Sequence, residues 1–163
     1  MFKIVSFLLF IVLPAFMLGA CGLDPFGNGE AAEEYGLEVQ LSVPDRVMQG
    51  ESFELLYTII NTSDDNVVVT TPHACLFSLN VERDGTSVPM QGASFPCATV
   101  VTDHTIPAQG SVERSVELHA VLEDNDREPL PAGMYTIVAV SDVVSIEGET
   151  GTLPDIDGTF IVE

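Results

Sequence analysis

Glu51-Ser-Phe-Glu-Leu-Leu-Tyr57-Thr-Ile-Ile-Asn61-Thr-Ser-Asp-Asp-Asn66-Val-Val-Val-Thr-Thr71-Pro-His-Ala-Cys75-Leu-Phe-Ser-Leu-Asn-Val-Glu-Arg83-Asp-Gly85 decides the fold. Phe53, Leu55, Tyr57 and Ile59 recur at every second position, which lays them on one face of an extended chain, the pattern of a half-buried strand. Residues 61–66 are six turn formers in a row. Their short side chains bond nearby backbone, and Asn and Asp tolerate positive φ. Residues 67–71 predict a second strand, and 76–83 a third, closed by Asp84-Gly85. Antiparallel strands at this spacing leave little room for a helix.

The pattern extends in both directions. Leu37-Glu-Val-Gln-Leu-Ser-Val43 alternates cleanly and predicts a first strand, ended by Pro44-Asp45. Beyond Gly85, residues 86–90 predict a short strand, 91–96 a loop, 98–102 another strand and Ile106-Pro-Ala-Gln-Gly110 a turn. The period of 111–122 is ambiguous. Val112, Arg114, Val116 and Leu118 alternate with charged or small residues, so the segment is assigned as strand, followed by a charged loop over 123–128. In Leu130-Pro-Ala-Gly-Met-Tyr-Thr-Ile-Val-Ala-Val140, Pro131 and Gly133 predict a turn leading into a long strand. Tyr135 stands where sandwich domains place a tyrosine whose hydroxyl bonds nearby backbone, and core packing is the alternative role. Residues 143–146 stay extended, 148–158 read as a loop and 159–163 as a final strand. The expectation is an all-β, Ig-like antiparallel sandwich of about seven to nine strands over residues 37–163.

Residues 1–20 read as a targeting segment. Lys3 supplies a positive start, and an apolar run over 4–16 is short for a membrane span. The segment ends Leu18-Gly-Ala-Cys21, which resembles the bacterial lipoprotein signal. The resemblance implies cleavage before Cys21, diacylglycerol on its sulfur and acylation of the new amino group, with palmitate as one such acyl chain. Several chains give stable anchoring where one is marginal. Gly22, rather than aspartate, after the cysteine implies sorting to the outer membrane in a double-membrane cell. Residues 21–36 hold Gly22, Gly27, Gly29, Gly36 and Pro25 with Glu30, Glu33 and Glu34, the composition of a flexible tether.

The net charge of the 163-residue chain is −20, and its only lysine is Lys3. Without residues 1–20, four arginines (Arg46, Arg83, Arg114, Arg127) face 25 acids, a net −21. Such a chain repels nucleic acid and anionic membrane surfaces. Its acidity suits solubility or high salt, and also the attraction of a basic partner or divalent cations.

Four segments together resemble the BsuPI family of intracellular proteinase inhibitors from bacilli and their extracytoplasmic relatives. They are Phe53-Glu-Leu-Leu-Tyr-Thr-Ile-Ile-Asn-Thr-Ser-Asp-Asp65, Phe77-Ser-Leu-Asn-Val-Glu-Arg-Asp-Gly85, Ile106-Pro-Ala-Gln-Gly110 and Leu130-Pro-Ala-Gly-Met-Tyr-Thr-Ile137. The likeness runs over about residues 37–140. It implies an Ig-like sandwich and inhibition of serine proteases. Two features depart from the family: the chain carries an export signal, and it has no tryptophan after the Asp84-Gly85 turn. No reactive-site motif carries across.

With Cys21 lipidated, Cys75 and Cys97 remain, and in an exported chain such a pair reads as a disulfide. The competing assignment is a metal site built from His73, Cys75, Cys97 and His104, though the spacing fits no finger pattern. Asp155-Ile-Asp157-Gly158 resembles part of a calcium loop without its closing glutamate, and a turn before the last strand is the simpler assignment. Asn61-Thr-Ser63 matches a glycosylation sequon, of little weight in a bacterial lipoprotein. There is no Gly-x-Ser-x-Gly elbow, no phosphate-cradling glycine loop and no basic patch, and the three histidines fit no hydrolase pattern. The expectation is therefore a non-enzymatic, cofactor-free, envelope-anchored module that binds another protein, a protease on the family resemblance. Exposed strand edges or the loop between Cys75 and Cys97 would supply the contact. The alternative is a structural lipoprotein of an envelope assembly.

Overall fold

The computed structural model describes residues 32–34, 36–123 and 128–163. Among them lie thirteen β segments and no helix. In chain order they are β1 (Ala32–Glu34), β2 (Leu37–Ser42), β3 (Arg46–Val47), β4 (Ser52–Asn61), β5 (Val67–Thr71), β6 (Phe77–Arg83) and β7 (Thr86–Ser87). They continue with β8 (Thr102–Ile106), β9 (Ser111–His119), β10 (Gly133–Ser141), β11 (Ser145–Ile146), β12 (Glu149–Thr150) and β13 (Ile156–Val162). Eight of these have five residues or more, in line with the expected strand number. Three sheets form, ordered β1-β2-β4-β9, β3-β13-β10-β6-β7 and β12-β11-β5-β8. All pairs are antiparallel except β13 with β3.

The second and third sheets are one layer with a bend. β5 runs on into β6 and β10 into β11, side by side, held through the bend by Asp142 N–H to Leu76 O (3.0 Å) and Val144 N–H to Thr70 O (2.9 Å). The first sheet faces this layer. Leu55, Tyr57 and Ile59 of β4 and Val39 and Leu41 of β2 meet Phe77, Val81, Tyr135, Ile137 and Phe160 in one apolar core. Aromatic contacts cross between the layers: Tyr57 stacks on Phe77 with centroids 4.3 Å apart, and Phe53 meets Phe160 at 5.1 Å. This is the Ig-like sandwich that the alternation predicts.

The structure departs from the expected strands in several places. Residues 98–101 are not strand. Their backbone is drawn to the bend by Ala74 N–H to Ala98 O, and Val100 and Val101 are 56% and 69% exposed. The strand is instead β8, whose inward positions include Thr102 and His104, so the apolar alternation that marks a strand is missing. The predicted strand over 86–90 shrinks to β7, because Pro89 interrupts it. The last strand begins at Ile156, which places Asp157-Gly158 inside β13 and removes both the turn and the calcium-loop assignments. Gly158 is required there by close packing, since a Cβ would lie 2.9 Å from Val43 Cγ2. Finally, Ala32–Glu34, assigned to the tether by composition, pair with β2; main-chain pairing needs no apolar sequence. Residues 1–31, with Cys21, and 124–127, with Arg127, lie outside the described residues.

Candidate functional site

The four segments that carry the family resemblance are joined in pairs. Asn61, fully buried, closes β4. Its Nδ2 donates to Asp65 O (2.7 Å) and Ile106 O (3.2 Å), and its Oδ1 accepts from Ser63 N (2.9 Å) and Ser63 Oγ (2.7 Å). Gln109 Nε2 donates to Thr62 O and Ser63 O, and Ala108 N donates to Asn66 Oδ1. The turn after β4 is thus locked to the turn before β9. At the other end, Tyr135 Oη donates to Pro131 O (2.8 Å) while the ring is buried, so the hydroxyl-to-backbone role is the one observed, rather than core packing alone. Arg83 Nη1 donates to Tyr135 Oη (3.3 Å), and its Nη2 to Ala132 O (3.1 Å). These are architectural contacts.

The bend of the second layer gathers the polar residues singled out by sequence. Cys75 and Cys97 form a disulfide, with Cα atoms 5.6 Å apart. Closing a loop of this length stabilises by about 3 kcal/mol in the chain-entropy account. A His73 ring nitrogen and both sulfurs lie within 4.8 Å of one another, but the sulfurs are bonded and offer no thiolate. His104 stands apart on β8 with its Nε2 3.2 Å from Thr71 Oγ1. Burial, then the Arg114 charge, lowers the pKa of His104, with Asp103 opposing.

His73 Nε2 lies 3.7 Å from Asp142 Oδ1, while His73 Nδ1 and Asp142 Oδ2 lack hydrogen-bond partners. Burial pushes the Asp142 carboxyl up, with Asp155 adding to the effect and His73 opposing it. Burial also pushes the Tyr57 phenol up to about 12; Asp155 and Asp142 act in the same direction, and Ser141 nearby opposes them without closing a hydrogen bond of good geometry. Ser141 Oγ instead accepts from Val143 N, and Asp155 Oδ1 accepts from Ser141 N. The Ser141 hydroxyl therefore accepts from backbone, and the cluster sits at the bend.

A different kind of site lies along β9. This nine-residue strand pairs with β4 on one side only, at the edge of the first sheet. His119 N–H points away from β4, to Gln91 O (3.0 Å). In an antiparallel ladder outward groups alternate, so Glu113, Ser115 and Glu117 also turn their main chain away from β4. Residues 91–93 cover the end of this edge: a Cβ on Gly92 would lie 2.6 Å from Glu117 O. Arg114 Nη1 covers Glu113 O (2.9 Å). The stretch around Ser115 is open among the described residues. Beside it, a cleft of about 180 Å³ is lined by residues 74–77, Phe95 and residues 114–116. Phe77 and Phe95 meet edge to face there, with centroids 5.8 Å apart.

The segment between Cys75 and Cys97 is not a projecting loop. It contains β6, β7 and the buried Met90, so the expected binding loop is largely part of the fold. Sequence reasoning anticipated an exposed strand edge in general terms and missed the cleft. Val112, Arg114, Val116 and Leu118 mark the inward side of β9, but the cleft's other wall lies about forty residues earlier.

No protein-family model matches the chain, and no curated protein matches it. The likeness to solved structures is distant. A CARDB domain of PF1109 from Pyrococcus furiosus is 17% identical, with a TM-score of 0.41, over 78% of this chain and 94% of that one. A β-glucosidase from Listeria innocua in complex with glucose is 14% identical, with a TM-score of 0.40, over 77% of this chain. The chain spans 16% of that glucosidase. WR4, a C. elegans MSP family member, is 12% identical, with a TM-score of 0.33, over 77% of this chain and 97% of that one.

Proposed function

We propose that the chain is a lipid-anchored, extracytoplasmic binding module that docks another protein. The observation that carries this reading is the open edge of β9 with an apolar cleft beside it. An exposed edge offers main-chain hydrogen bonds to an extended partner, and an adjacent pocket selects side chains. Cys21 is the anchor, and Gly22 after it favours the outer membrane in a cell with two membranes. The resemblance to the BsuPI family makes a serine protease the first partner to test. The reading is non-enzymatic. The alternative, a structural envelope lipoprotein without inhibitory activity, is favoured by the folding of the segment between the cysteines into the core.

The test is titration of a panel of serine proteases with the detergent-solubilised full chain. Stoichiometric inhibition without cleavage supports the protease reading. Failure across the panel, while the wild-type chain is specifically cross-linked to another envelope protein, removes inhibition and keeps the binding module. In the same cells, labelled palmitate on the wild-type chain but not on Cys21→Ala tests the anchor.

A further inference from the structure

The open edge of β9 carries two chemistries, one on each side. On the outward face of the first sheet, register places Glu54 directly opposite Glu117 and Thr58 opposite Glu113, with Glu38 on β2 on the same face. Lysine and arginine are absent from this face among the described residues. Glu54 and Glu117, both exposed, are direct cross-strand neighbours of like charge, an arrangement that destabilises a sheet. On the inward side lies the cleft between Phe77, Phe95 and Val116, of a size for a single apolar side chain.

We propose that β9 receives an extended segment of alternating basic and apolar residues, added as a fifth strand beside Ser115. Successive side chains of a strand point to opposite faces. The basic residues of such a segment would fall on the outward face beside Glu113 and Glu117, and an apolar residue between them would enter the cleft. Main-chain bonds would form with the outward groups of Ser115. The inference rests on the binding-module reading and adds the chemistry of the partner. Charge argues against a second copy as the occupant. Antiparallel pairing of two copies about Ser115 sets each Glu113 opposite the other copy's Glu117, which is again a like-charge pair.

The experiment measures anisotropy of a fluorescein-labelled, end-blocked nonapeptide alternating lysine and valine, with the detergent-solubilised full chain at physiological ionic strength. An alternating lysine–glycine peptide carries the same charge without the apolar side chains. The expected result is one-to-one binding, about tenfold or more tighter for the lysine–valine peptide. Ser115→Pro removes the outward N–H without touching the ladder to β4, a change that edge strands tolerate. It should weaken binding about tenfold with an unchanged melting temperature. Val116→Lys, placed at the cleft, should abolish the preference for valine over glycine and serves if Ser115→Pro does not fold. Equal affinity for the two peptides, or undiminished binding by both folded variants, overturns the proposal. Dimerisation that Ser115→Pro abolishes overturns it in favour of a second copy. A specific envelope partner cross-linked equally by wild type and Ser115→Pro overturns this inference and leaves the binding module standing. Failure of the wild-type chain to cross-link any partner removes that broader reading.

Discussion

Asp142 shows how one side chain can report the condition of the bend. Burial and the Asp155 carboxylate raise its pKa against the pull of His73. Between the unfolded value and this raised one, the folded chain binds more proton than the unfolded chain. Its contribution therefore falls as pH rises through that window. Asp142→Asn keeps the shape and removes the charge. It should raise the melting temperature at neutral pH, and the gap should close on acidification into the carboxylate range, where the wild-type side chain is also neutral. Thermal melts across that range check this; a lower melting temperature for the variant at neutral pH would mean that attraction to His73 outweighs burial. None of this was legible in sequence. His73 and Asp142 are distant in the chain and meet only because β6 and β10 are neighbours. Cys75 and Cys97 were legible as a pair, since the expected export signal, and the even count left once Cys21 is assigned to lipidation, favour a bond.

At the scale of elements, the alternating strands were easiest to read. Residues 67–71 match β5, and the strand predicted to begin at Leu37 is β2, which begins there. β8 was misplaced because His104 and Thr102 fill inward positions that the alternation rule reserves for apolar residues. Asn61 was recognised as a turn former, but its burial was not, since the Ile106 carbonyl it satisfies belongs to another strand. Asn61→Ala would take the amide donor from the Ile106 carbonyl and from Asp65 O, and would unfasten the two turns that meet at one end of the β4–β9 pair. A buried polar group stripped of its partner costs roughly 1–3 kcal/mol, so the variant should lose about 3 kcal/mol. Urea unfolding measures the loss, and less than about 0.5 kcal/mol would show that water replaces the amide without penalty.

For the whole molecule, charge is the dominant global property. Most of the sequence's net −20 falls on the described residues, where like charges repel, and screening shortens that repulsion from about 10 Å at 0.1 M salt to about 3 Å at 1 M. The melting temperature should rise between low and molar sodium chloride; a flat or falling trend would show that local pairs such as Arg46–Glu163 outweigh the global field. Composition was enough for this expectation, just as alternation was enough for the sandwich, because neither depends on which strands are neighbours. The order of the first sheet does depend on it, and it has a mechanical consequence. β1 occupies one edge and β9 the other, three strand spacings apart, roughly 14 Å. A pull transmitted through the chain ahead of Ala32 would enter by the β1 ladder, at the rim opposite β9. The sheet acts as its own outrigger, so holding the molecule at one rim keeps the opposite rim clear of the point of attachment.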